Sequence, residues 1–213
     1  MTRRSSKSKA ARRRLRERLL RQERALKSSG YTLVAGVDEA GRGPLAGPVV
    51  AGAVVFKDLD IKSEINDSKK LSAKKREKAF AEISEKAFVG IGVVDEKTID
   101  EINIFQATRK AMLEALAKLE MPPDYVIVDG RMKIATKCPV KCIIGGDAKC
   151  LSIAAASIVA KVTRDRIMAE YDRLYPQYGF KQHKGYATLS HKRALRVHGP
   201  SAIHRNSFHP KFC

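Results

Sequence analysis

Four acidic residues stand where this 213-residue chain could do chemistry: Asp38, Glu39, Asp129 and Asp147. Asp38 and Glu39 end the apolar run Val34-Ala35-Gly36-Val37, and Gly41-Arg42-Gly43-Pro44 follows almost at once. Asp129 closes Val126-Ile127-Val128 and precedes Gly130, and Asp147 lies in Gly145-Gly146-Asp147-Ala148-Lys149. Carboxylates at the end of a buried strand are costly unless a positive charge neutralises them, and a hard divalent cation takes oxygen ligands of this kind. Each acid alone is a weak signal, since Asp-Gly is common in ordinary turns. The four together suggest phosphodiester chemistry, in which two cations about 3.5–4 Å apart would activate water and stabilise the leaving oxygen.

Basic groups could surround such a centre. Arg42 lies in the glycine loop, Lys69 and Lys70 follow Asp67-Ser68, and Lys149 and Lys161 flank the start and interior of a long apolar helix. Lys184 and Tyr186 share the stretch His183-Lys184-Gly185-Tyr186, an aromatic among cations suited to stacking on a sugar or base. The glycines at 41 and 43 lack the Cβ atoms that would hold a polynucleotide away from the main chain. Asp95, Glu96, Asp100 and Glu101 follow a strand but read as a solvated helix start. His198, His204 and His209 are scattered and read as structural or surface groups.

The elements that must position these groups alternate from Tyr31 onward. Thr32–Val37 and Pro48–Phe56 are β-branched and glycine-punctuated, and are expected to pair as a hairpin. Neighbouring strand residues face opposite sides, which separates Asp38 from Glu39 unless the strand ends at Asp38 and Glu39 enters the turn. Ser72 is a suitable N-cap for a helix through Ala87. A strand at Phe88–Val94, an amphipathic helix at Asn103–Leu119, and short strands at Tyr125–Val128 and Val140–Ile144 follow. Leu151–Tyr171 is a long helix whose Ala154, Ala155 and Ala156 permit close packing, and Ser190–His198 is a further helix. The fold class is α/β: a mixed sheet flanked by helices, with a C-terminal helical appendage. Open sheets of this class bind ligands beyond their strand ends, where the four acids could converge.

Residues 1–30 differ from the remainder. They carry twelve Lys or Arg against two acids, a balance of +10, which leaves +9 of the formal +19 for residues 31–213. That division marks a basic N-terminal extension, helical or disordered, ahead of one catalytic domain at 31–213. Leu15, Leu19 and Leu20 among the arginines allow a basic helix on a polyanion, or a solvated tail. A pI near 10.0 points to nucleic acid as partner. No stretch approaches the ~20 apolar residues of a membrane span, and the N-terminus lacks the apolar core of a secretory signal. No membrane partner is expected, the location is expected to be cytoplasmic, and the chain is expected to act as a monomer. Cys138, Cys142, Cys150 and Cys213 lack paired C-x-x-C spacing and read as reduced thiols rather than a zinc site or disulfide framework.

Long motifs now bear on these expectations. Asp38-Glu39-Ala40-Gly41-Arg42-Gly43-Pro44, Asp67-Ser68-Lys69-Lys70-Leu71, Val128-Asp129-Gly130, Gly146-Asp147-Ala148-Lys149 and the run from Ser152 to Asp165 occur in that order. His183 to Thr188 and Gly199 to Arg205 extend the set. From about Tyr31 to the C-terminus the chain resembles the type 2 ribonucleases H, bacterial members in particular. The resemblance implies a ribonuclease H-like fold, cleavage of the RNA strand in RNA–DNA hybrids, and incision 5′ of single ribonucleotides in duplex DNA, leaving 3′-hydroxyl and 5′-phosphate ends. It assigns Asp38, Glu39, Asp129 and Asp147 to Mg²⁺ or Mn²⁺, and Gly41, Arg42 and Gly43 to the ribonucleotide 2′-OH and its phosphate. Tyr186 falls on the family's junction-sensing tyrosine. Ala187 stands where the family commonly has glycine. The rival readings are another ribonuclease H-like nuclease, such as a junction resolvase, and a non-catalytic nucleic-acid-binding module.

Overall fold

In a computed structural model, which describes residues 3–66, 68 and 71–208 with side chains from residue 14 onward, a five-stranded sheet lies between layers of helices. The chain begins with α1 (Arg3–Ser28) and enters the sheet through β1 (Val34–Ala40) and β2 (Val49–Phe56). Next come α2 (Ala73–Lys86), β3 (Ala87–Val94), α3 (Glu96–Ala117), β4 (Tyr125–Asp129) and β5 (Val140–Ile143). A 3-10 turn (Gly146–Ala148) leads into α4 (Leu151–Leu174), followed by α5 (Phe180–His183) and α6 (Leu189–His198). The strand order is β3-β2-β1-β4-β5. β1 pairs antiparallel with β2, and β2 with β3, whereas β4 runs parallel to both β1 and β5.

Strand alternation divides the core into two layers. Val49, Ala51, Ala53 and Val55 pack with Ala107, Ala111, Met112 and Ala115 of α3. Val54, on the opposite face, packs with Ala155, Ile158 and Val159 of α4 and with Ala79 and Ile83 of α2. α4 lies close against the sheet because the strands below it are notched. A Cβ on Gly36 would stand 2.2 Å from the carbonyl carbon of Ser152. The C-terminal segment builds its own cluster, in which Tyr178, Phe180, Leu195 and Ile203 enclose Leu45, Ala46 and Met168.

Two sequence expectations need correction. β1 does not stop at Asp38: Glu39 pairs with Ala51 and Ala40 with Val50, so both acids sit in strand. The helix expected from Asn103 begins earlier, at Glu96, with a break at Asn103 (φ 65°, ψ 163°). Asn103 Oδ1 accepts from the amides of Phe105 and Gln106, restarting the helix as a local cap. Asp95 caps the first segment through Thr98 N, and Asp100 accepts from the amides of Asn206 and Ser207. Glu96, however, is buried rather than solvated, and burial raises its carboxyl pKa.

α1 is helical and docked along its C-terminal half. Leu19, Leu20 and Leu26 are buried, the first two against the α4 layer. Buried Glu23 accepts from both the amide and the hydroxyl of Ser152, each at 2.9 Å, in the first turn of α4. Cys150, the residue at the N-cap of α4, makes no side-chain cap, so an acid from another helix satisfies that terminus.

Candidate active site

The register of two parallel strands sets the centre. Val37 pairs with Val128 as the last rung between β1 and β4, and Asp38 and Asp129 each come one residue later. Side-chain alternation therefore turns both carboxylates toward the α4 face. Asp38 is 6% exposed and takes a hydrogen bond from Ser157 of α4, whose hydroxyl also meets Ser68 at 2.9 Å. Burial, then the charges of Glu39 and Asp129, hold the Asp38 pKa well above the usual carboxylate range. Burial likewise raises Glu39, opposed by Arg42, whose guanidinium lies 3.2 Å from Glu39 Oε1. Alternation sets Glu39 off the α4 face that Asp38 and Asp129 share, yet its charge still couples to theirs, so three carboxylates lie in one field beside Arg42.

Asp147 enters from the turn after β5. Gly146 N donates to Asp129 Oδ1 at 2.6 Å, tying that turn to the end of β4 and leaving Asp147 as the next residue. A Cβ on Gly146 would meet Ile153 at 2.6 Å and crowd Asp129 Oδ1 at 3.3 Å, so glycine is what lets the turn close. Among the described residues no three Asp, Glu, His or Cys side chains are grouped tightly enough to hold an ion together.

Two buried arginines shape the adjoining glycine loop. Arg205 donates to the carbonyls of Gly41, Arg42, Pro44 and Gly47 at 2.6–3.1 Å. Arg164 donates to those of Ala46, Pro48 and Lys184 at 2.9–3.0 Å. Burial lowers the pKa of both, that of Arg205 to about 9. Gly41 (φ 98°) needs to be glycine because a Cβ would sit 2.1 Å from Arg164 Nε, an internal reason rather than a ligand-facing one. Gly43 is different: a Cβ there would meet only the Tyr186 ring, at 3.9 Å. Gly43 and the exposed edge of Tyr186 therefore border one opening.

A chain of histidines holds the Tyr186 segment from behind. Ser201 N donates to His204 Nδ1 at 2.8 Å, so the His204 proton resides on Nε2 and is directed at His191 Nε2, 3.0 Å away. His191 Nδ1 then donates to Tyr186 O at 2.9 Å. The first two links require neutral imidazoles, because each uses a ring nitrogen as acceptor. The scattered histidines of the sequence are, for His204, part of a buried scaffold.

The lysines divide. Lys161 is bound to Asp165 at 2.7 Å, and Lys184 lies in the field of the same pair, its pKa lowered by burial. Lys149 Nζ donates to Ile144 O at 2.5 Å, bracing the turn that carries Asp147. Among the described residues none of these three is bonded to Asp38, Glu39 or Asp129. Lys69, Lys70, His209 and Cys213 lie outside the described residues. Arg164 and Arg205, which hold the carbonyls of the glycine loop, are what residue-type reasoning passed over. A lone arginine in sequence reads as surface, and only the carbonyls converging on them reveal the role.

A five-stranded mixed sheet with α3 on one face, α4 on the other, and acids at the ends of its central strands is a ribonuclease H-like fold. The family model described as Ribonuclease HII matches residues 35–211. A Ribonuclease HII of Bacillus thuringiensis (strain Al Hakam) is 53% identical over 189 residues, covering 88% of this chain and 73% of that protein. The crystal structure of the ribonuclease H2 from Pyrococcus horikoshii OT3 superposes with a TM-score of 0.71 at 30% identity, covering 82% of this chain and 93% of that one. The structure of a PCNA:RNase HII complex from Archaeoglobus fulgidus gives 0.73 at 27% identity, over 84% and 96% of the two chains. The chain belongs to the ribonuclease HII family. It is accordingly an endoribonuclease, a hydrolase of the RNA strand in RNA–DNA hybrids.

Proposed function

We propose that this endoribonuclease also incises duplex DNA 5′ of a single embedded ribonucleotide, and that residues 31–213 carry the reaction. The observation that carries this reading is the convergence of Asp38, Glu39 and Asp129 at the ends of β1 and β4, where burial and mutual repulsion raise the Asp38 pKa. Family membership implies a divalent cation, and the donor set fits one: several hard carboxylate oxygens in one field, short of positive charge. Asp38, Glu39, Asp129 and Asp147 would hold Mg²⁺ or Mn²⁺, which when bound supply an acidified water and neutralise charge at the phosphate.

The remaining work belongs to the chain. Arg42, on its glycine loop, is placed to meet the phosphate beside Glu39. The Gly43 backbone borders the opening where a ribose 2′-OH, the group that marks RNA, would be read. The Tyr186 ring faces the neighbouring sugar across that opening, and Arg164 and Arg205 keep the loop in shape by holding its carbonyls. Water attacks phosphorus as the bond to the preceding nucleotide's 3′ oxygen breaks, leaving a 3′-hydroxyl and a 5′-phosphate.

A substrate panel tests this. With Mg²⁺, nicking is expected on a long hybrid and at one ribonucleotide in duplex DNA, with none on an all-DNA duplex or in EDTA. Loss of the single-ribonucleotide activity alone would confine the enzyme to hybrids, and cleavage of all-DNA junctions would contradict the proposal.

A further inference from the structure

The arginines of α1 fall into two groups. Arg16 is bound to Leu59 O at 3.0 Å and Asp60 Oδ1 at 3.1 Å, and Arg24 to Glu17 Oε2 at 2.6 Å. Arg14, Arg18 and Arg21 are exposed and make no hydrogen bond or ion pair with any described residue. Their spacing of four and three residues puts them on one stripe of the helix.

That stripe borders a groove of about 410 Å³. Arg18, Arg21 and Gln22 line one side, and Ile143, Ala148, Lys149 and Cys150 the other. Ile143 pairs with Asp129 in the sheet, and Ala148 and Lys149 directly follow Asp147. The groove is thus built on the turn that carries Asp147 and on the strand residue paired with Asp129. Thiol chemistry is a poor fit there, because burial pushes Cys150 up to about 12.

The supporting helix is fixed in place. Leu19, Leu20 and Leu26 are buried, and Glu23 is held by two hydrogen bonds to Ser152. A docked helix holds the backbone that carries these arginines in place, so binding need not order the helix itself. Unpaired arginines facing a lysine repel one another, and a line of phosphates is a complement that relieves all of them.

We infer that this groove is a phosphate-backbone subsite, in which Arg18 and Arg21, with Lys149 opposite, hold the nucleic-acid strand outside the reacting segment. The subsite rests on the nuclease reading above and extends it by giving the N-terminal helix a defined contact.

The test compares two double variants of the full chain, each lowering the charge by two in the same helix: Arg18→Ala with Arg21→Ala, and Arg16→Ala with Arg24→Ala. Alanine preserves helix propensity, and unchanged thermal melting verifies the fold. Binding of a fluorescent RNA–DNA hybrid is followed in EDTA across 50–200 mM salt. Removing two phosphate contacts should flatten the log–log salt slope by about 1.8 for the first pair, so that the wild type loses about tenfold more affinity than this variant across that range. The second pair should keep the wild-type slope. An unchanged slope for the first pair, or equal flattening by both, overturns the subsite. Wild-type cleavage of the same hybrid in Mg²⁺ is scored separately, so failure of the nuclease reading is distinguishable.

Discussion

Tyr186 is 44% exposed, unusual for a large aromatic, and its ring edge faces the open side of Gly43. A ring kept at a gap without being buried is available to stack on a sugar, a contact worth about 1–3 kcal/mol for a base. One such contact matters most where few others exist. Tyr186→Ala is therefore expected to slow nicking at a single ribonucleotide by roughly 5- to 150-fold, on that energy scale, and to slow cleavage of a long hybrid much less. Equal losses on both substrates in parallel single-turnover assays would remove its junction role. The placement of the acids was legible as a set, since they close apolar runs or sit in a glycine turn, although each alone is a weak signal. The orientation of Glu39 was not: its place in β1 depends on pairing with Ala51 of β2, a contact that local pattern does not encode. Arg164 and Arg205 were equally hidden, because their partners are backbone carbonyls brought in by folding.

At the level of elements, the N-terminus of α4 depends on α1. Glu23 supplies the acceptor that Cys150 cannot, and it does so from 129 residues away. Losing a helix cap costs on the order of 1 kcal/mol, and stranding buried donors costs more. Glu23→Ala is expected to lower stability by about 1–3 kcal/mol in urea titration, whereas Glu23→Gln, which keeps the acceptor oxygen, should retain most of it. A wild-type midpoint for the alanine variant would show that α1 is not holding α4. The strands, α2 with its Ser72 cap, α4 and α6 were all legible from periodicity and caps. Docking of α1 was not, because its leucines are diluted by arginines, and whether such a helix packs or frays is settled by the surface it meets. The early start of α3 was obscured by four acids that read as solvated, although Asp95 and Asp100 bond backbone amides and Glu96 is buried.

Across the whole molecule, a formal charge of +19 accompanies a cluster of carboxylates, so the net field draws in a polyanion that the catalytic end would repel unaided. Acid sensitivity is also a property of the assembled chain. Burial first, and neighbouring His191 second, hold His204 down to about 4. An unfolded chain takes up this proton near pH 6.5, so the contribution of His204 is complete above 6.5 and is withdrawn as pH falls toward 4. The difference is on the order of 3 kcal/mol, while the raised carboxyls of Asp38, Glu39 and Glu23 act in the opposite sense. His204 should therefore show no imidazole titration by NMR between pH 7.5 and 5, and a midpoint near 6.5 would contradict its buried, neutral role. The central claim is that acids from separate strands form one divalent-cation site, and Asp129→Asn examines it most directly. Mn²⁺ binding followed by electron paramagnetic resonance, alongside nicking of a single-ribonucleotide duplex, should weaken by more than roughly tenfold and by at least about a hundredfold respectively. Thermal stability should hold or rise, because Asp38 loses a like-charged neighbour. Wild-type Mn²⁺ affinity together with wild-type nicking would show that Asp129 takes no part in the site.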